Sequence, residues 1–143
     1  MTHDDLLSDP YVAAYPELLP FWQAAGQGVL LLPWCTACGQ THWHPQGQCP
    51  FCRCPTLRWE AASGRATLHT FTAIARRDAA TDLLAYVALQ EGPLVLTRIV
   101  EADAAQLRIG MPLQVRFHPT PQGRCAPCFA PAEDQAVPDA LPQ

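Results

Sequence analysis

The sequence predicts a mainly β protein with a short N-terminal helix, a small zinc ribbon and a C-terminal β-barrel. Three observations carry this. Two Cys-x-x-Cys pairs, Cys35/Cys38 and Cys49/Cys52, are separated by ten residues. From Ser63-Gly64 onward the chain alternates apolar and polar residues in short runs broken by turn residues. Fifteen prolines interrupt the stretches in which a long helix would otherwise run.

Residues 1–15 are expected to form an irregular or partly ordered arm. Pro16-Glu17-Leu18-Leu19-Pro20-Phe21-Trp22-Gln23-Ala24-Ala25-Gly26 reads as a short helix, with prolines in its first turns and Gly26 and Gly28 at its end. Leu18, Phe21, Trp22 and Ala25 then share one face. That is more apolar area than a small chain leaves in water, so Leu18, Phe21 and Trp22 are expected to pack on a partner or on the ribbon.

Val29-Leu30-Leu31-Leu32 is expected to be a strand leading into the first cysteine pair. Thr41-His42-Trp43-His44-Pro45 alternates and is expected to be a ribbon strand, and Leu57-Arg58-Trp59-Glu60 a strand leaving the second pair.

Each Cys-x-x-Cys supplies two sulfurs from one tight turn. Gly39 follows the first pair, where such turns often need a positive φ. Four thiolates at this spacing match a tetrahedral Zn²⁺ site formed by Cys35, Cys38, Cys49 and Cys52. Two disulfides or four free buried thiols are the alternatives. A four-thiolate shell leaves no open position for water or substrate, so such a zinc is structural and does not itself name a function.

In the C-terminal part, Arg65–Ile74 alternates, with Ala66, Leu68, Thr70 and Thr72 on one side and Thr67, His69, Phe71 and Ala73 on the other. Residues 76–82 read as a polar loop, 83–89 as a strand, Glu91-Gly92-Pro93 as a turn and 94–100 as a strand. Residues 101–106 are a polar connection or helical turn. Gly110-Met111-Pro112 breaks the chain before a strand over 113–118. Short strands in about 60 residues point to a small barrel, although a small sandwich gives a similar pattern. The Pro/Ala/acidic segment from 131 to 143 is expected to be a disordered tail.

The 143 residues are 49% apolar, enough for a packed core, and carry a net charge of −4. The charge is uneven. All nine basic residues are arginines between 53 and 128, where they face six acids, whereas residues 1–52 and 129–143 carry only acids. A surplus of three over the middle argues against nucleic-acid binding by charge. It allows a local contact with a phosphorylated small molecule. Arg76-Arg77 is the best basic pair, suited to phosphate or to an acidic partner surface, beside the simpler reading of a solvated loop. Met1-Thr2-His3-Asp4-Asp5 is acidic with no apolar core behind it, so no signal peptide is expected. No apolar run reaches transmembrane length. The expected location is the cytoplasm, where paired cysteines more often hold metal than form disulfides.

Other candidates read more simply. Cys125-x-x-Cys128 lacks the βαβ context of a redox pair, and Cys54 reads as a free thiol beside the ribbon. His42 and His44 read as ribbon side chains, since four thiolates already complete a zinc shell. His69 and His118 lie on or near strands without an evident acid or nucleophile partner. No catalytic triad and no phosphate-cradling glycine loop stands out.

Taken in order, a set of motifs resembles one family. They are Phe21-Trp22 with Gly28, Leu30-Leu31-Leu32-Pro33, Cys35-x-x-Cys38-Gly39, and Pro45 before Cys49-Pro50-x-Cys52. Ser63-Gly64-Arg65-Ala66-Thr67-Leu68, Phe71-Thr72, Glu91-Gly92, and Ile109-Gly110-Met111-Pro112-Leu113 with Val115 and Phe117 follow. The chain resembles, over roughly residues 17–130, a family that pairs a short helix and a rubredoxin-like zinc ribbon with a C-terminal OB-fold. Its members were long catalogued as a domain of unknown function and are often encoded beside thiolases.

The resemblance implies an N-terminal arm and helix over 1–28, a ribbon over 29–61 and an OB-fold over 62–130. It also implies a non-catalytic accessory subunit that assembles with a thiolase-like acyl-CoA enzyme as a hetero-oligomer. Such a subunit supports acyl transfer or carbon–carbon cleavage on a CoA thioester, with Arg76 and Arg77 as candidate contacts to CoA or to the partner. The sequence departs from the family at Arg53, where glycine is usual after the second pair, and at Gln46, where arginine is frequent. A single-stranded nucleic-acid binder is the alternative from another class. It would need stacking aromatics in a basic groove, and the barrel strands offer Phe71, Tyr86 and Phe117 without lysine.

Overall fold

The structure is a computed structural model that describes residues 2–132. Its elements are α1 (His3–Leu7), α2 (Pro10–Ala14), a 3₁₀ turn (Pro16–Leu18), α3 (Leu19–Ala25), β1 (Leu31–Cys35) and β2 (Leu57–Ala61). β3 (Arg65–Ile74), β4 (Asp82–Leu89), β5 (Leu94–Arg98), a second 3₁₀ turn (Ala104–Gln106), β6 (Pro112–Pro119) and β7 (Cys125–Pro131) follow.

The arm, expected to be irregular or partly ordered over residues 1–15, is ordered as two short helices. Thr2 and Asp5 form a reciprocal capping box: the Asp5 N–H donates to Thr2 Oγ1, and the Thr2 N–H to the Asp5 carboxylate, both at 3.1 Å. The Asp9 carboxylate accepts the Tyr11 N–H at 2.8 Å, with Pro10 in the first turn of α2. Helices of five residues do not hold themselves. Burial of Leu6 and Val12 fixes these two to the core.

Leu18, Phe21, Trp22 and Ala25 do share a face, and all four are buried within the chain itself. The Phe21 ring lies 5.5 Å from that of Trp43 in the ribbon and 4.9 Å from that of Trp22, and Trp22 meets Tyr11 at 6.0 Å. Of the two expected covers for Leu18, Phe21 and Trp22, a partner or the ribbon, the structure shows cover from within the chain, with Phe21 against Trp43 of the ribbon. The ribbon, α1 and α2 supply the apolar surface that covers them.

β1 and β2 form the antiparallel ribbon, in register from Leu31↔Ala61 to Cys35↔Leu57. The first strand starts two residues later than expected and runs into Cys35. The strand expected over 41–45 is corrected to a single bridge between Trp34 and Thr41. Side chains occupy groups that a strand partner would use. Thr41 Oγ1 donates to the Pro33 carbonyl at 2.9 Å, and the Gln46 N–H donates to His42 Nε2 at 3.2 Å.

The second sheet has strand order β5-β4-β3-β6-β7, with antiparallel neighbours. It curls into a barrel, with Ile99 bridging Phe129 and the Val100 N–H donating to the Phe129 carbonyl at 2.8 Å. Two expectations change here. The β3–β4 register shifts between Leu68 and Thr70. Ala66 and Leu68 are buried, while Thr70 and Thr72, expected on the same side, are exposed and Phe71 is half-buried, because the bulge shifts the faces beyond it. The closing strand β7 runs to Pro131, which pairs with Leu113, and the Ala132 N–H donates to the Pro112 carbonyl at 3.1 Å. Pro131 and Ala132, expected in the tail, are thus part of the barrel, and the rest of that expectation, 133–143, lies outside the described residues.

One apolar cluster joins the three parts. It runs from Leu6, Val12 and Phe21 in the helices through Leu32 of β1 to Leu68, Val87, Leu113 and Phe129 in the barrel. Trp34, Trp43 and Trp59 of the ribbon pack against it. Among the described residues no helix is long and apolar enough to cross a membrane.

Candidate metal centre

The two knuckles repeat one backbone design. In the first, the Gly39 N–H donates to the Cys35 carbonyl at 3.0 Å, and the Cys35 N–H to the Gln40 carbonyl at 2.9 Å. In the second, the Arg53 N–H donates to the Cys49 carbonyl at 2.9 Å, and the Cys49 N–H to the Cys54 carbonyl at 3.0 Å. The residue after each pair is left-handed, with φ 73° at Gly39 and 67° at Arg53. The family departure at Arg53 is thus accommodated without loss of the turn.

These turns bring the four predicted sulfurs together. All lie within 4.8 Å of one another, with Cys35 Sγ 3.5 Å from Cys52 Sγ and Cys38 Sγ 3.7 Å from Cys49 Sγ. A tetrahedral ion with metal–sulfur bonds of about 2.3 Å has edges of about 3.8 Å, so the sulfurs present fit a metal ion. Cys35 and Cys49 are buried, whereas Cys38 and Cys52 face solvent. No disulfide joins any of them.

Backbone donors favour charge on the inner sulfurs. Cys35 Sγ accepts the N–H groups of Ala37 and Cys38 at 3.3 and 3.4 Å, and Cys49 Sγ accepts that of Phe51 at 3.4 Å. The Cys38 N–H, above all, brings the Cys35 thiol down to about 6 against the opposing effect of burial. Cys52 is pushed up to about 12. The Cys54 N–H favours its thiolate, but its hydrogen bond to Cys35 and desolvation outweigh that donor. The set gives up one proton readily and the last one reluctantly, and a cation supplies the missing counter-charge.

The other candidates stay outside this set. Cys54 Sγ accepts the Thr56 N–H at 3.4 Å. His42 is buried, and burial lowers its pKa with a further push from His44. His44 Nε2 lies 3.3 Å from the Tyr11 hydroxyl. Cys125 and Cys128, three apart on β7, project to opposite faces. Cys128 Sγ donates to the Arg116 carbonyl at 3.6 Å, and burial pushes its thiol up to about 11, which does not suit a redox thiolate.

Arg76 and Arg77 sit in the loop between β3 and β4. The structure separates their roles. Arg76 Nε donates to the Asp82 carboxylate at 2.7 Å, and Arg98 reaches the same carboxylate at 3.4 Å. Arg77 is exposed.

Sequence reasoning missed a buried ion pair between Asp9 and Arg124, 115 positions apart. The Arg124 guanidinium carbon lies 4.8 Å from the ring centroids of both Tyr11 and Trp22. The Asp9-Pro10 helix start was a readable signal, but nothing local to Arg124 announces its partner.

Residues 59–118 match the family model of the ChsH2 C-terminal OB-fold domain. The fold is similar to that of a solved chain from the Ltp2-ChsH2(DUF35) aldolase, with a TM-score of 0.70 and 24% identity over 80% of this chain and 93% of that one. It is also similar to a protein of unknown function from the DUF35 family of Sulfolobus solfataricus, with a TM-score of 0.59 and 16% identity over 79% of this chain and 87% of that one. No curated protein matches the sequence. The barrel is thus an OB-fold similar, over residues 59–118, to the ChsH2 C-terminal OB-fold domain, and it follows a cysteine cluster compatible with a zinc ribbon.

Proposed function

We propose that this chain is the non-catalytic accessory subunit of a thiolase-like acyl-CoA enzyme. In this reading it forms a hetero-oligomer with the catalytic subunit and supports acyl transfer or carbon–carbon cleavage on a CoA thioester. The observation that carries the reading is the likeness in fold, over 80% of this chain and 93% of the other, to a chain of the Ltp2-ChsH2(DUF35) aldolase.

The site chemistry is consistent with it. Cys35, Cys38, Cys49 and Cys52 hold one structural Zn²⁺, whose four-thiolate shell has no position left for substrate. The zinc then fixes the ribbon against the barrel, and the subunit acts through its surface. A metal-loaded thiolate set suits a reducing compartment, and the reading puts the complex in the cytoplasm.

The test is coexpression with thiolase-like proteins from the same organism. The expected result is a complex that co-purifies and turns over an acyl-CoA faster than the thiolase-like subunit alone. Failure to co-purify, together with a thiolase-like subunit fully active by itself, would reject the reading. So would turnover by this chain alone that disappears on substitution of one of its own residues.

A further inference from the structure

A groove lies where α2 and the 3₁₀ turn after it meet the loop between the two cysteine pairs. Its volume is about 330 Å³, within the range of small-molecule sites. Tyr11, Tyr15, Leu18 and Pro45 line it with rings and apolar surface, and Glu17 and His44 with polar groups. The two tyrosine rings lie 5.5 Å apart and are tilted by 53°, so they make a corner rather than a stack. Tyr11 and Tyr15 are 38% and 48% exposed, so both rings are open to a ligand. Tyr11 is held from several sides. Its hydroxyl lies 3.3 Å from His44 Nε2, Trp22 meets its ring edge-on at 6.0 Å, and the Arg124 guanidinium carbon sits 4.8 Å from its centroid.

The groove carries a net negative charge. Glu17 forms no ion pair among the described residues, and residues 1–52 hold no lysine or arginine. Arg124 and Asp9 neutralise each other. Burial lowers the pKa of His44, which therefore stays neutral at pH 7. The charge left over is that of Glu17. Gly47 sets the place of its side chain. A Cβ at Gly47 would lie 3.3 Å from Glu17 Cγ and 3.9 Å from Cδ, so the bare backbone there gives the glutamate stem its seat.

Electron-rich ring faces beside an unpaired carboxylate attract a cation. The hydrogen bonds on offer decide its type. A guanidinium brings five N–H groups and a primary ammonium three, and each needs an acceptor. The Tyr11 hydroxyl is already engaged with His44. An alkylated ammonium asks for no acceptor, and its methyl groups suit the apolar surface of Leu18 and Pro45.

We propose that this groove binds a quaternary ammonium group, with Tyr11 and Tyr15 meeting its methyl groups and Glu17 its charge. Two sources present that group: a small molecule such as choline, and a trimethylated lysine side chain of a protein.

The test titrates the purified, zinc-loaded chain by calorimetry with choline and with a trimethyllysine peptide. Saturable binding of at least one is expected, with a dissociation constant in the millimolar range or tighter. The neutral carbon analogue of choline, with a tert-butyl group in place of the trimethylammonium, is expected to bind at least about 10-fold more weakly. Tyr15→Ala and Glu17→Gln are each expected to weaken binding about 5-fold or more, whereas Tyr15→Phe keeps the ring face and should stay within about 2-fold of wild type. Tyr15 and Glu17 are exposed, so circular dichroism and metal content of these variants should match wild type.

Binding of choline or of the trimethyllysine peptide supports the site, and the tighter of the two names the source. Binding of neither, equal binding of the tert-butyl analogue, or affinity unchanged in both Tyr15→Ala and Glu17→Gln would overturn the site. An unmethylated lysine or arginine peptide that binds as tightly as the trimethylated one would overturn the choice of a quaternary ammonium.

Discussion

Gly39 and Arg53 occupy the same point of the two cysteine knuckles. Each is left-handed, and each donates its N–H to the carbonyl of the first cysteine of its pair. Glycine takes this backbone freely, whereas a residue with a Cβ meets a cost of about 1–2 kcal/mol. Arg53→Gly is therefore expected to raise stability by up to about 1 kcal/mol, since the unfolded glycine chain has more freedom to lose. Gly39→Ala is expected to lower it by about 1 kcal/mol through the dihedral alone, because a Cβ there meets no atom within 4 Å. Denaturant midpoints of the two variants against wild type check both signs.

Removal of the metal tests the cysteine cluster. One zinc per chain is the expected stoichiometry by metal analysis, and cobalt substitution should give thiolate charge-transfer absorption. In a small metal module the binding energy is folding energy, so a strong chelator or Cys35→Ser is expected to unfold the ribbon and lower soluble yield. Well-folded protein without zinc would count against the site.

The Asp9–Arg124 pair holds the N-terminal helices to the turn before β7. Asp9 is buried, so Asp9→Asn or Arg124→Ala leaves a charge without its partner and is expected to cost about 3 kcal/mol. Burial alone would raise the Asp9 carboxyl, but the Arg124 hydrogen bond and the Tyr11 N–H bring it below the usual carboxylate range. The unfolded chain thus binds the proton more tightly. The stabilisation is full above about pH 4 and is lost as pH falls through the lower folded value. Acid titration followed by tryptophan fluorescence should show this transition in wild type and not in Asp9→Asn.

Gly64 has no room for a single added methyl group. Its φ is 80°, and a Cβ there would lie 2.8 Å from both Gln114 Nε2 and Val115 Cγ1. Its carbonyl also accepts the Val115 N–H at 2.8 Å, which starts the β3–β6 pairing. Gly64→Ala is expected to cost about 2–4 kcal/mol, from the dihedral and the clash together. Thermal melts of the two proteins measure it.

The adjacent arginines should behave differently. Arg76→Ala removes an exposed ion pair to Asp82 and is expected to cost no more than about 1 kcal/mol. Arg77→Ala is expected to leave stability unchanged. If Arg77 meets CoA phosphates or the partner, its loss raises KM for the acyl-CoA or weakens the complex. Unchanged values in the Arg76→Ala/Arg77→Ala double variant would reject that role alone.

Local chemistry by itself determined the cysteine set, the start of the barrel and most of its strands. A Cys-x-x-Cys turn, a glycine with positive φ and an alternation of period two each act over a few residues, so the chain displays them directly. What lay beyond that range was decided by tertiary structure. The bulge between Leu68 and Thr70 moved Thr70 and Thr72 to the outside, because pairing with β4 sets the face. Cys125–Pro131 became a strand because β6 offered it an edge. The two N-terminal helices, too short to persist alone, exist through the burial of Leu6 and Val12. Trp22, whose burial the sequence placed on a partner or on the ribbon, turned inward once Arg124 and Tyr11 came together around it. That meeting joins residues more than one hundred positions apart, and only the folded chain brings them within contact.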